Sequence, residues 1–257
     1  MSSSSTRIST ILWPLVPAVV ILGAAEISVR AGWVQAFLIP TPSAVIKTLF
    51  SQRADLAVAL GQTTLAATIG FAMSIAIGVL TALLLTSSTI ARRALYPYAV
   101  FFQTVPVIAI APLLVIWFGF GLTTCIASAC IVSVFPIIAN TLSGLLSTDP
   151  ALRDLFRLYR ASSLATLFKL RLPFALPQIL TGLRVSGGLA VIGTIVGEFI
   201  AGNGLGGQID VALTQQRVDL VFAAILLASL LGLTIFATIN LLSWFLLRHW
   251  HASEQNR

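Results

Sequence analysis

The sequence predicts an all-α integral membrane protein with about six transmembrane helices, on three observations. First, 58% of its 257 residues are hydrophobic and only 9% are charged, and the mean hydropathy is +1.00. Soluble domains carry roughly a quarter charged residues, and no water-soluble fold of this size hides so much apolar surface. Second, the apolar residues gather into long charge-poor runs at about 11–29, 63–85, 95–118, 123–146, 185–200 and 220–247. A hydrocarbon core ~30 Å thick takes about 20 helical residues to cross. Each run meets or nearly meets that length, the fifth being the shortest. Third, the cations are shared unevenly between the connections. Six spans put both termini on one side, and that side then holds eleven of the fifteen Lys and Arg residues. By the positive-inside rule it is the cytoplasm.

The net charge of +7 does not point to nucleic acid, because the basic residues are dispersed between apolar runs rather than striped along a soluble face. Cys125 and Cys130 lie inside one run and read as small apolar residues facing lipid or a neighbouring helix. His249 and His251 fall in the polar C-terminal tail, 248–257, and do not make a metal site between them. No cofactor is expected in this chain.

Taken in order, residues 1–10 form a polar cytoplasmic tail, and 11–247 form the membrane domain. Glu26 lies near the outer end of the first span. The outside connection 32–62 contains Pro40-Thr41-Pro42-Ser43, a rigid turn entering a short amphipathic stretch. Residues 87–94 make a brief inside turn. In the third span Pro106 and Pro112 remove backbone donors, which is costly in lipid unless neighbours or cavity water satisfy the freed carbonyls. This span either lines a pathway, with Gln103 and Thr104 facing solute, or is simply kinked. Gly119-Phe120-Gly121 is a tight outside turn. Residues 147–184 form a long inside loop. In the fifth span Gly187, Gly188, Gly193 and Gly197 allow close backbone approach, within the chain or between two copies. Glu198, the acid near its end, reads either as a structural cap near the outer surface or as part of a gate or solute path. An outside loop opening with Gly202-Asn203-Gly204-Leu205-Gly206-Gly207 leads to the last span.

The long inside loop is the most informative segment. Asp149-Pro150 is a helix start, with Asp as N-cap and Pro at the first helical position. Leu152, Leu155, Phe156 and Tyr159 then recur at i, i+3, i+4 and i+7, one apolar stripe. Arg153, Arg157 and Arg160 recur on another face. Roughly ten residues are too few for a helix stable alone, so the apolar face needs a partner. Periodicity leaves two: the inner leaflet, with the arginines on anionic headgroups, or a groove on a soluble protein.

The stretch Asp154-Leu155-Phe156-Arg157-Leu158-Tyr159-Arg160-Ala161-Ser162, followed by Leu170-Arg171-Leu172-Pro173, resembles the EAA loop of binding-protein-dependent ABC importer permeases. That pattern is Glu-Ala-Ala, three residues, Gly, nine residues, then Ile-x-Leu-Pro. Asp154 stands at the Glu, Leu155 and Phe156 at the alanines, and Arg160 at the Gly. The Gly allows a turn with φ > 0, so an Arg there implies a longer helix or a different turn. Thr104-Val-Pro106 through Gly121, Glu198 with Gly204-Leu-Gly206, and Pro40-Thr-Pro42-Ser43 resemble the sulfonate, taurine and nitrate branch of the family. The likeness spans roughly residues 35–245.

What the resemblance implies is specific. The fold is the type I ABC importer permease fold with a cytoplasmic coupling helix, in the bacterial plasma membrane. The chain has no Gly-x-x-x-x-Gly-Lys-Ser/Thr stretch, so it is not an enzyme, and ATP and Mg would be held by a separate ATPase. The partners would be a second copy of the permease, two P-loop ATPase subunits, an extracytoplasmic solute-binding protein and membrane lipid. Leu152, Arg153, Asp154, Leu155, Phe156, Arg157, Tyr159, Arg160, Ala161 and Ser162 would couple to the ATPase, and Phe156→Asp is expected to uncouple transport without preventing insertion. Gln103, Thr104, Pro106 and Glu198 would line the pathway, and alternating access would carry the solute. The solute would be a sulfonate, taurine or nitrate, or a neutral heterocycle such as a vitamin or thiamine-precursor pyrimidine. The near absence of cations along the pathway leans to the latter. An ion-coupled secondary transporter is the rival reading, which needs intramembrane acids in matched halves; only Glu26 and Glu198 offer themselves. An integral membrane enzyme would show clustered His or Asp, and the spans contain no His.

Overall fold

The computed structural model describes residues 3–248. Of the expected C-terminal tail, 248–257, only Arg248 is among the described residues; His249, His251 and the others lie outside them. Helices follow one another as α1 (Ser3–Arg30), α2 (Pro42–Ser51), α3 (Arg53–Ser87), α4 (Thr89–Thr104), α5 (Val107–Phe118), α6 (Leu122–Leu146), α7 (Pro150–Leu158), α8 (Ser163–Thr166), a π-helical turn (Leu167–Arg171), α9 (Leu172–Ala201), α10 (Gly204–Thr214) and α11 (Val218–Leu247).

Among the described residues, four helices are long and apolar enough to cross a membrane: α3, α6, the continuous run Ser163–Ala201, and α11. The pair α4 and α5 passes the same test together but is bent by 98°. The expected first span, 11–29, lies within α1, which begins at Ser3.

Packing partners fix the direction of each helix. A Cβ on Gly70 would meet Ala129, and one on Gly78 would meet Ile137, so α3 and α6 run the same way. Gly182 faces Asn140 and Pro136 while Gly193 faces Ser128 and Ala129, so α9 runs opposite to α6. Gly187 faces Ile235 and Ile239, and Val191 packs near Leu231, so α11 again opposes α9. Since α3 and α6 are parallel, the chain between them must return across the bundle. The bent pair α4–α5 is therefore one broken crossing rather than a re-entrant hairpin.

The break falls at Val105-Pro106. Val105 is extended, at φ −72° and ψ 123°, as the residue before a proline prefers. Only one of the two expected interruptions occurs there: Pro112 stays inside α5.

Small residues are prominent in the core, beside buried leucines such as Leu56, Leu145 and Leu205, and many large apolar residues lie on the periphery. Ala66, Ala67, Ala82, Ala129 and Ala190 are fully buried, whereas Leu84, Ile116 and Leu233 are largely exposed. That inversion is the signature of apolar surroundings, where helices gain little by burying Leu against Leu and instead associate through close backbone packing. α6 and α9 form the most extensive interface. A Cβ on Gly193 would sit 2.8 Å from the Ser128 carbonyl oxygen, and the Ser128 hydroxyl donates to the Gly193 carbonyl at 2.7 Å. Gly187, Gly193 and Gly197 thus serve seams inside the chain rather than between copies, while Gly188 faces open space. Cys125 and Cys130 are both buried and unpaired, turned to neighbouring helices rather than lipid.

Two expected loops are largely helical. The inside loop 147–184 ends at Ser162, whose hydroxyl caps the next helix by accepting from the Ala165 amide at 3.1 Å. A single helix of 39 residues, Ser163–Ala201, then runs to the opposite end. The expected fifth span, 185–200, covers only the last part of it. The π turn at Leu167–Arg171 lies directly before Pro173, and a widened turn there relieves the clash of the ring with the preceding carbonyl. The glycine-rich segment after Gly202 is also helix: α10 needs its glycines for proximity, since a Cβ on Gly207 would lie 2.7 Å from the Gly202 carbonyl carbon.

Candidate functional site

Two groups of expected site residues lie at opposite ends of the bundle. At the end where α3 and α6 finish and α4 begins, α7 projects as a short helix. Asp149 caps it, accepting from the Ala151 amide at 2.8 Å, and Pro150 opens its first turn. Leu152 and Leu155 are 38% and 43% exposed, and Leu158 and Tyr159 are 81% and 80% exposed. Arg153 and Phe156 are half-buried. The helix thus turns Phe156 towards its own chain and Leu152, Leu155, Leu158 and Tyr159 outward. Leu158 was missed because it is off the i, i+3, i+4, i+7 stripe. Asp154 and Arg157 form an ion pair at 3.1 Å, and both are so exposed that such a pair adds little stability.

Arg160 resolves the departure from the family pattern. Its φ is +51°, the left-handed conformation that the pattern's glycine would supply. The Arg160 amide bonds the Arg157 carbonyl at 2.9 Å, and the Ala161 amide bonds the Phe156 carbonyl at 3.0 Å. These two bonds make a Schellman motif. The helix is neither extended nor ended by another turn; the arginine adopts the glycine's geometry at a conformational cost of about 1 kcal/mol. Arg160→Gly is therefore expected to preserve function and raise thermal stability slightly, whereas Arg160→Val, β-branched at positive φ, lowers both. Melting temperature and transport rate of the two variants check this.

Ser162, expected to touch the ATPase, spends its hydroxyl on capping. Ala161 and Ser162 are the turn joining α7 to the 39-residue helix.

At the far end, Glu198 is fully buried, 0% exposed, on the last turn of α9. Its Oε2 accepts from the Thr63 hydroxyl of α3 at 2.9 Å and from the Gly206 amide of α10 at 3.0 Å. Thr63 Oγ1 accepts in turn from the Leu205 amide at 2.9 Å. Gln62 Oε1 accepts from the Gly204 amide at 2.9 Å. Asn203 approaches the Cys125 thiol at 3.3 Å. One carboxylate thereby fastens α3, α9 and α10 together. A Cβ on Gly204 would overlap the carboxylate, and one on Gly206 would come within 2.7 Å of the Glu198 Cβ. The Glu198, Gly204, Gly206 pattern is the imprint of this clasp. Gln62 and Thr63 were not singled out, since nothing in their own spacing pairs them with an acid 135 residues away.

Gln103, Thr104 and Pro106 stand together, exposed, at the α4–α5 break. Thr104 bonds the Phe101 carbonyl of its own helix at 2.7 Å. Among the described residues no hydrogen bond links this trio to Glu198. At the same end as Glu198, Glu26 of α1 accepts from the Ser43 amide and hydroxyl at 3.0 and 2.7 Å, holding α1 to the start of α2.

A small-residue helical bundle with a broken crossing and a short projecting helix before its longest span defines a membrane permease domain. The chain belongs to the family described as binding-protein-dependent transport system inner membrane component, whose model matches residues 74–244. It is 40% identical over 219 residues to the formylaminopyrimidine transport permease protein ThiX of Halalkalibacterium halodurans, covering 83% of this chain and 86% of that protein. It is 35% identical to a probable ABC transporter permease protein of Haemophilus influenzae over 93% of this chain and 96% of the relative. The putative aliphatic sulfonates transport permease protein SsuC of Bacillus subtilis is 30% identical over 94% of this chain and 88% of its own length. Among solved structures, an inward-facing MetNI methionine ABC transporter chain superimposes with a TM-score of 0.65 at 18% identity, covering 76% of this chain and 98% of that one. The fold is that of type I ABC importer permeases, and the protein is a multi-pass membrane permease subunit of an ABC importer.

Proposed function

We propose that α7 is the coupling helix through which a separate cytoplasmic ATPase, holding ATP and Mg, drives this permease. The observation that carries the reading is the outward apolar face of Leu152, Leu155, Leu158 and Tyr159 on a helix joined by a short turn to the 39-residue helix. A lipid-resting helix would also be amphipathic. A rigid junction at one end of a continuous span instead suits a part that transmits force. The α7 end is then cytoplasmic, the clasp end extracytoplasmic, and both termini cytoplasmic. Two copies of this chain with two ATPases form the transporter. A binding protein delivers solute at the clasp end, and alternating access carries it past Gln103, Thr104 and Pro106.

The solute we favour is a small neutral nitrogen heterocycle of the pyrimidine kind. Likeness to the formylaminopyrimidine permease supports this, as does the uncharged trio at the α4–α5 break. Likeness to the sulfonate permeases keeps a sulfonate as the second reading. The test is to crosslink the binding protein to this chain in membranes, identify it, and titrate it with formylaminopyrimidine and with taurine. Tighter binding of the pyrimidine is expected; tighter binding of taurine overturns the choice.

A further inference from the structure

We propose that the groove between α4 and α6, at the end that carries α7, holds one anionic phospholipid of the surrounding membrane. The groove is a cavity of about 370 Å³ lined by Arg92, Arg93, Tyr96 and Pro97 of α4 and by Ala139, Leu142, Ser143 and Leu146 of α6. That volume lies within the range of small-ligand sites.

The placement of its residues is graded. The two helices are antiparallel here, α4 beginning and α6 ending at the same surface. Arg92 and Arg93 are nearest that surface on α4, and Ser143 lies on the last turn of α6. Pro97 and Ala139 lie about one turn deeper on their helices. Two cations, a hydroxyl and the side of Leu146 thus sit at the mouth, with Leu142, Ala139 and Pro97 forming an apolar trough beneath. A phosphodiester head with an acyl chain below it has the same grading.

The charge is also unspent. Among the described residues the ion pairs are Glu26–Arg30, Asp154–Arg157 and Arg217–Asp219, and neither Arg92 nor Arg93 takes part in one. Guanidinium groups match phosphate geometrically as well as electrostatically, and a basic pocket between spans at the membrane surface is the setting in which anionic headgroups bind. The gap is held open: Tyr96 packs beside the buried group of Ala82, Leu85, Ile138 and Leu142, and its ring lies 6.4 Å from that of Phe135. No residue of α4 is buried, so the groove opens on the surface of the single chain.

Native mass spectrometry of the full chain, extracted from membranes into mixed micelles of phosphatidylglycerol and phosphatidylcholine, tests this. Wild type is expected to retain one phosphatidylglycerol in preference to phosphatidylcholine. Each arginine contributes about a fivefold preference, so Arg92→Gln and Arg93→Gln together erase it. Ala139→Phe, which fills the trough and keeps both arginines, also lowers retention. Added inorganic phosphate, at ionic strength matched with chloride, leaves the lipid bound. The proposal is overturned by equal retention of the two lipids, by displacement with phosphate alone, or by arginine variants that change subunit association but not lipid retention.

Discussion

Leu155→Asp is expected to abolish solute uptake in reconstituted vesicles while the permease still inserts and melts normally. Leu155 points away from its own bundle, so its loss costs the isolated chain little. In a docked complex the new carboxylate would sit in an apolar groove without a partner. Such burial costs about 3 kcal/mol or more, which weakens docking by over a hundredfold. The ATPase should then fail to copurify. Leu158→Asp should act alike, while Arg157→Gln, at the exposed rim, should be nearly silent. Phe156→Asp is a poorer probe, because Phe156 is half-buried against its own chain and its substitution mixes folding with docking. Leu155→Asp that retains the ATPase at wild-type yield would return α7 to the lipid surface.

The second large effect is expected at Glu198. Glu198→Ala leaves the Gly206 amide without its acceptor in a fully buried place, while the Thr63 hydroxyl keeps only its bond to the Ala59 carbonyl of its own helix at 3.0 Å. The orphaned amide costs about 1–3 kcal/mol, and the emptied space adds to that. A loss of about 2–4 kcal/mol follows, visible as a marked fall in melting temperature. Glu198→Gln keeps an acceptor oxygen of the same shape and should lose far less. If Glu198 served the solute directly, transport would fall in both variants while the melting temperature of the Gln variant stayed at wild type. If it is the clasp, stability and transport fall together in Ala and are largely kept in Gln.

Much of this architecture was legible in the sequence because a bilayer constrains so strongly. Runs of apolar residues located the spans, and Asp149-Pro150 located the start of α7 within a residue. What escaped has common causes. The apolar run marks only 185–200 as the fifth span, but the helix extends back to Ser163 through the π turn ahead of Pro173. The glycines at 204, 206 and 207 read as loop, yet they are helical positions whose side-chain volume belongs to Glu198 and to the backbone of Gly202. Arg160 reads as a departure from glycine, yet it carries the glycine's φ. Local propensity is the wrong guide wherever a distant group occupies the space. The partner that fixes Glu198, Thr63, lies two helices earlier, and no local pattern announces it.

The continuous helix from Ser163 to Ala201 also limits how this chain can change its length. Each residue of an α-helix advances the azimuth by about 100°. One residue inserted or deleted anywhere along it would swing α7 by that angle relative to Glu198, and both ends could not keep their neighbours. The π turn at Leu167–Arg171 holds one residue more than an α-helical turn of the same rise would, so the phase between the two ends already includes an extra residue absorbed locally. Homologous chains should therefore vary freely in length between Arg30 and Pro42 and hardly at all between Ser163 and Ala201.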